Sequence, residues 1–166
     1  MKKPNIQPND VHVIINDWES PTRYVGEATC YNAAGKRLWS IPALCKGVEG
    51  PRHTIRGGDT PPGLYLAGDV VVTQPGDSAQ TWNAYGKYFI DMVEQENQEA
   101  GLGRAGIGWH GGGTAAADPL APQQTLLPTL GCVRSHNEHI AKFVVATLQR
   151  VNQKGGRMWI TVNQFS

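Results

Sequence analysis

Only three of the 166 residues are cysteine: Cys30, Cys45 and Cys132. Thiols so few and so far apart build no disulfide framework, and an odd number leaves one unpaired however the others are matched. Charge is also sparse. Charged residues make up 17% of the chain, and 15 basic against 14 acidic side chains give a formal net of +1. So even a balance carries no basic field for a polyanion, and no nucleic-acid partner is expected. No stretch approaches the roughly 18–20 apolar residues of a membrane-spanning helix, so no transmembrane segment is expected. The opening MKKPNIQPND has no apolar core behind its lysines, so no signal peptide is visible in it.

What is present is enough to fold. Hydrophobic residues make up 40% of the chain, too many for a solvated disordered segment. The length suits one domain over residues 1–166, with no linker, repeat or low-complexity tract to divide it. Twenty glycines and eleven prolines are nearly a fifth of the residues, against an average of about 12%. That surplus predicts many turns and short strands, hence a mainly β fold, a sandwich or barrel.

The strand readings follow from β-branched runs and alternation. Val11 to Ile15 opens the domain, bounded by Asp10 and by Asn16-Asp17. Arg23 to Tyr31 and Arg37 to Leu44 flank Asn32-Ala33-Ala34-Gly35-Lys36 and predict an antiparallel hairpin. A turn centred near Ala34 sets Cys30 opposite Leu38 and Cys45 opposite Arg23, roughly seven residues or about 23 Å apart along the strands. No Cys30–Cys45 disulfide fits that register. Pro61-Pro62-Gly63 precedes strand-like Leu64 to Ala67 and Asp69 to Thr73, and Gly86 to Glu94 reads as a strand followed by a loop around 99–106. Met158 to Val162 supplies the last strand.

One helix stands out. Ser135-His136-Asn137-Glu138 has the spacing of a capping box, with Ser135 as N-cap. Ile140, Phe143, Val144, Leu148 and Val151 then form a single apolar stripe, and Gly155-Gly156 provides the stop.

Chemistry concentrates just ahead of that helix. Pro128-Thr129-Leu130-Gly131-Cys132-Val133-Arg134 places a thiol after a glycine and two positions before a cation. A free cysteine is only a few per cent thiolate at neutral pH, and a nearby cation or helix N-terminus raises that share. Gly131 lets a substrate approach the backbone, and the amides around Cys132 offer an oxyanion hole. Upstream, Gly108-Trp109-His110-Gly111-Gly112-Gly113 presents a histidine at the end of a strand-like stretch. A cysteine and a histidine far apart in sequence are the form a nucleophile and its base take before folding.

His110-Gly111 followed by Thr129-Leu130-Gly131-Cys132-Val133-Arg134 resembles the signature of the L,D-transpeptidase (YkuD-type) catalytic domain: HG, a variable stretch, S/T-x-G-C-x-R, and an Asn five positions after the Cys, here Asn137. Thr60-Pro61-Pro62-Gly63-Leu64-Tyr65 is similar to the family's upstream T-P-x-G-x-[FY] segment. The resemblance spans roughly residues 37–140. Many members carry His where this chain has Leu130, and Asp where it has His139.

The resemblance implies an L,D-transpeptidase-like β-sandwich or barrel with an amphipathic helix after the cysteine. It implies a cysteine peptidyltransferase acting on peptidoglycan stem peptides, without metal or organic cofactor. Cys132 would be acylated to a thioester, then released to a second amine (transpeptidation) or to water (L,D-carboxypeptidase activity). His110 would move the proton, with its second ring nitrogen oriented by a backbone carbonyl such as that of Gly111. Arg134 would hold the motif loop or a substrate carboxylate, and Thr129 would be the motif hydroxyl. We assign Thr129, Asn137 and Trp109 to substrate binding. The substrate places the activity at the cell wall, in the periplasm or outside the cell.

Other readings compete with these. Trp82, Tyr85, Tyr88 and Trp109 are groove candidates, though aromatics at strand spacing more often pack in a core. Cys132, His136 and His139, with His110, form a nominal zinc set, but the cysteine precedes the helix and no metal is expected. Gly111 to Gly113 lack the lysine and hydroxyl of a phosphate loop. The functional alternatives are a non-catalytic wall-binding module on the same fold, or an exported or phage-borne effector that targets the wall.

Overall fold

Apolar alternation sets the first strand, β1 (Val11–Trp18), whose residues Val11, Val13, Ile15 and Asp17 point inward while their neighbours are half-exposed. The computed structural model describes residues 1–20, 22–97 and 102–165. β2 (Gly26–Asn32) and β3 (Arg37–Ala43) form the expected hairpin. Asn32 Oδ1 accepts the amides of Ala34 and Lys36 at 3.0 and 2.9 Å, which fixes the turn. A bulge beyond Cys30 sets that residue opposite Trp39 rather than Leu38. None of the three cysteines is in a disulfide, and Cys30 and Cys45 are fully buried.

The two runs expected on either side of Gly68 are one strand, β4 (Gly63–Val72), with an irregular register between Ala67 and Val70. A short helix, α1 (Ala79–Tyr85), follows, capped by the Ser78 side chain on the Thr81 amide. Next come β5 (Tyr88–Glu94), β6 (Gly108–His110) and the two-residue β7 (Val133–Arg134). Of the loop expected around 99–106, residues 99–101 lie outside the described residues.

The helix α2 spans 137–153, with a π-helical middle at Ile140–Val145 between α-helical ends. Its start differs from expectation: His136 is the N-cap and makes no side-chain capping bond. Ser135 is fully buried and turned inward, where its hydroxyl donates to Pro42 O at 2.8 Å and accepts from Trp109 Nε1 at 2.9 Å. Burial of that hydroxyl among strands removes it from the helix end. The apolar stripe is as read: Ile140, Val144, Leu148 and Val151 are in the core and Phe143 packs against it. Gly155, at φ 73°, ends the helix.

β8 (Met158–Phe165) runs parallel to β1 and antiparallel to β4. The eight strands make one sheet in the order β3-β2-β1-β8-β4-β5-β6-β7. Its two edges meet: Leu44 and Arg134 exchange backbone hydrogen bonds at 2.7 and 2.9 Å, and Val48 and Thr129 continue the contact. The result is a mainly β, nearly closed barrel with one 17-residue helix packed on its core. Among the described residues, no helix is long and apolar enough to cross a membrane.

Candidate active site

β6 and β7 pair in parallel, with His110 in register with Arg134 and Trp109 with Val133. The two-residue period of a strand therefore puts His110, Arg134 and Cys132 on one side of the ladder and sends Trp109 and Val133 to the other. His110, Cys132 and Arg134 line a cavity of about 620 Å³, with Thr129, Leu130, Arg104, Arg56 and Tyr85 around them. Trp109 is fully buried in the core. It cannot touch a substrate, which corrects the sequence assignment.

His110 is 2% exposed and boxed by aromatic rings, Tyr85 edge-on at 4.9 Å and Phe89 stacked at 5.7 Å. Its Nδ1 lies 2.7 Å from Gly111 O. Because a carbonyl only accepts, Nδ1 carries the proton and Nε2 presents a lone pair. Burial foremost, then the Arg134 charge, pushes the His110 pKa down to about 3, against a weaker opposing effect of the Gly111 bond. His110 is thus neutral across the physiological range and meets a substrate as an acceptor at Nε2.

Arg134 is buried, and its guanidinium braces the backbone. It donates to Gly111 O at 3.3 Å, to Leu127 O, to Pro128 O at 3.2 Å and to Ala84 O at 3.4 Å. Of the two roles the sequence left open for it, this is the loop-holding one. Gly111 O thereby orients His110 and anchors Arg134 together. Burial lowers the Arg134 pKa while the Cys132 charge opposes the shift. The coupling is mutual, so Arg134 favours the Cys132 thiolate. α2 begins at Asn137, so Cys132 lies outside its first turn, and the charge coupled to the thiol is that of Arg134.

The nucleophile loop is closed on itself. Thr129 Oγ1 donates to Cys132 O at 2.8 Å and accepts the Gly131 amide at 2.9 Å. With its amide engaged by Thr129, Gly131 is not an oxyanion donor. The Cys132 thiol is half-exposed, with Gly106 O at 3.7 Å. Burial pushes the other two thiols out of the reactive range, Cys30 to about 12 and Cys45 well above its ordinary value.

Asn137 sits outside the cavity. Its Oδ1 accepts the Gly112 amide at 2.9 Å and its Nδ2 donates to Pro119 O and Ala121 O at 2.9 and 2.7 Å. It clamps the glycine loop and lines a separate, smaller hollow with Tyr85, Tyr88 and Ile140 rather than the cavity of Cys132. That loop is also held by α1, through Gly111 N to Tyr85 O at 3.0 Å and Gly113 N to Asn83 O at 2.7 Å. A Cβ on Gly111 would lie 2.1 Å from Asn137 Oδ1, so the glycine is there for close packing. His136 and His139 do not line the cavity.

Two features escaped the sequence reading. Arg104, buried beside Gly131, donates to the carbonyls of His53, Gly58, Asp59 and Leu130 at 2.9–3.2 Å. Asp17, Glu19 and Asp59 place one oxygen each within 4.8 Å of one another, the one such group of potential ligands among the described residues. The Lys46 ammonium stands among them, 2.7 Å from Asp17, 3.1 Å from Glu19 and 3.4 Å from Asp59, where a cation would otherwise sit.

No family model and no curated protein matches the chain. Among solved structures it is similar to Bdellovibrio bacteriovorus Bd1075, with a TM-score of 0.53 and 14% identity over 92% of this chain. The match covers 47% of Bd1075, so this chain spans about half that protein's length. A likeness at this identity carries the fold alone.

Proposed function

We propose that this chain is an L,D-transpeptidase-like cysteine acyltransferase, acting on peptidoglycan stem peptides through a thioester. The observation that carries the reading is the pairing of Cys132 and His110 in one cavity, with His110 Nδ1 fixed on Gly111 O at 2.7 Å. A neutral imidazole held in that tautomer is an oriented proton acceptor beside a thiol. The described lining of the cavity holds three arginines, Arg56, Arg104 and Arg134, and no Asp or Glu. Such a lining favours a peptide that ends in a free carboxylate, and Arg56 is the exposed member of the three.

In the reaction, the Cys132 proton passes to His110 Nε2 as Sγ bonds the carbonyl carbon of the L-residue. The C–N bond to the terminal D-residue breaks, and its nitrogen takes the proton from His110. A second amine, or water, then attacks the thioester and gives its proton to His110, and the departing sulfur recovers it. Arg134 favours the sulfur anion at the start and the end of this sequence. Such an enzyme works at the cell wall, where its substrate lies.

Stem tetrapeptide incubated with the protein should lose or exchange its terminal D-residue, and Cys132→Ala should abolish both. An unchanged rate in the variant overturns the reading. Carbapenem should add one acyl group to the wild-type protein and none to Cys132→Ala, by intact mass. A thiol that stays unmodified indicates a wall-binding module instead.

A further inference from the structure

The acid cluster of Asp17, Glu19 and Asp59 around Lys46 takes no part in the chemistry above, yet it is built into the wall behind the nucleophile loop. Asp17 ends the inward stripe of β1, Lys46 follows β3, and Asp59 precedes the Thr60 to Tyr65 corner. Asp17, Lys46 and Asp59 are all buried. Charges taken from water in this way add little net stability, since desolvation offsets their attraction. Their hydrogen bonds show what they do hold.

Asp59 Oδ1 accepts the Gly47 amide at 2.8 Å, and its Oδ2 takes the Lys46 ammonium. The segment around Gly47 forms the seam with the nucleophile loop: Thr129 N donates to Lys46 O at 3.0 Å, and Val48 N donates to Thr129 O at 2.9 Å. Thr129 in turn holds the Gly131 amide and the Cys132 carbonyl. A second route leaves the same residue, since Asp59 O accepts from Arg104 Nη1 at 3.0 Å and Arg104 Nη2 reaches Leu130 O at 3.1 Å. Both routes end on 129–132.

We propose that the Asp59 carboxylate, held by Lys46, is a positioning group for Cys132, acting through the Gly47 amide and Thr129; the Arg104 route uses the Asp59 main-chain carbonyl and stays in place whatever the side chain. The inference rests on Cys132 being the acylated residue. The Asp59 carboxylate does not line the cavity that holds Cys132. It fixes where the sulfur stands relative to His110, and displacements well under the width of an atom slow acyl transfer.

The test uses the full chain with Asp59→Ala and Asp59→Asn. Asp59→Ala should lower kcat about tenfold with KM within about twofold, and Asp59→Asn, which keeps an oxygen for the Gly47 amide, should recover all but about threefold. Iodoacetamide labelling gives an independent readout, because Cys30 and Cys45 are fully buried and a single adduct reports Cys132. Labelling should slow in Asp59→Ala and recover in Asp59→Asn. Wild-type kcat and labelling in Asp59→Ala, or a loss that Asn does not restore, overturns the proposal. If Asp59→Ala does not fold, Asp59→Leu, which fills the space and leaves Lys46 paired with Asp17 and Glu19, takes its place with the same expectation. If no stem peptide is turned over even by the wild type, the functional reading fails, while labelling still decides the positioning role.

Discussion

At Gly131 the backbone and a guanidinium share one space. The residue stands at φ 124°, a region unfavourable to side chains, and a Cβ there would lie 1.8 Å from Arg104 Nη2. Gly131→Ala should therefore destabilise the fold by about 2 kcal/mol or more through backbone strain, and push Arg104 off Leu130 O. Urea unfolding measures the first effect, and Cys132 labelling by iodoacetamide, altered from the wild-type rate, measures the second. A variant with wild-type values in both would show the close approach to be slack. The sequence made the glycine and the cysteine visible, because the motif is contiguous. Arg104 was invisible, since a lone arginine in an irregular loop has no pattern, and its meaning comes from four carbonyls scattered over 53–130.

The elements divide in the same way. Strand alternation is local, so β1, the β2–β3 hairpin and β8 are legible in the sequence. The seven residues of α1 are too few to show an apolar period, and α1 was not expected. Yet its last carbonyls fix Gly111, Gly113 and Arg134, so an unread element aims the read residues. At the start of α2 the pattern misleads: Ser135 has N-cap spacing but is drawn into the core, and Asn137 ties its side chain to the glycine loop and to 119–121 rather than to the helix end. Asn137→Ala removes three hydrogen bonds that hold 112–121. At about 1 kcal/mol each, this should cost about 3 kcal/mol of stability. Because Gly111 precedes the freed amide, kcat should fall more than KM rises. Thermal unfolding and steady-state kinetics check the two, and a loss confined to KM would return Asn137 to substrate binding.

For the whole barrel, the buried titratable groups couple folding to pH with opposite signs. His110 has a folded pKa of about 3 against an ordinary 6.5. The unfolded chain takes that proton first, so the contribution of His110 is full above 6.5 and is lost as pH falls toward 3. Burial depresses His12 and His139 as well, which adds to the acid loss. Asp59 behaves inversely. Burial and its hydrogen bond with Glu19 raise it from 3.8 to about 6, so the folded chain binds the proton first, and its contribution is full below 3.8 and lost as pH rises through 6. Burial raises Asp17 in the same direction, whereas Glu19 is lowered by its bond to Asp59. None of this was readable from composition, because Asp17, Lys46 and Asp59 lie on separate segments that meet only where the sheet edges close. Between pH 4 and 6 the two contributions offset each other in the wild type, and single variants separate them. Acidification from pH 7 to 4 should raise the urea midpoint of His110→Gln relative to the wild-type change and lower that of Asp59→Asn. Each unit of pKa displacement is worth about 1.4 kcal/mol, so the two profiles should diverge measurably. Parallel profiles for His110→Gln and the wild type would mean that the ring is hydrated in solution, and the neutral-base role built on its burial would fall with it.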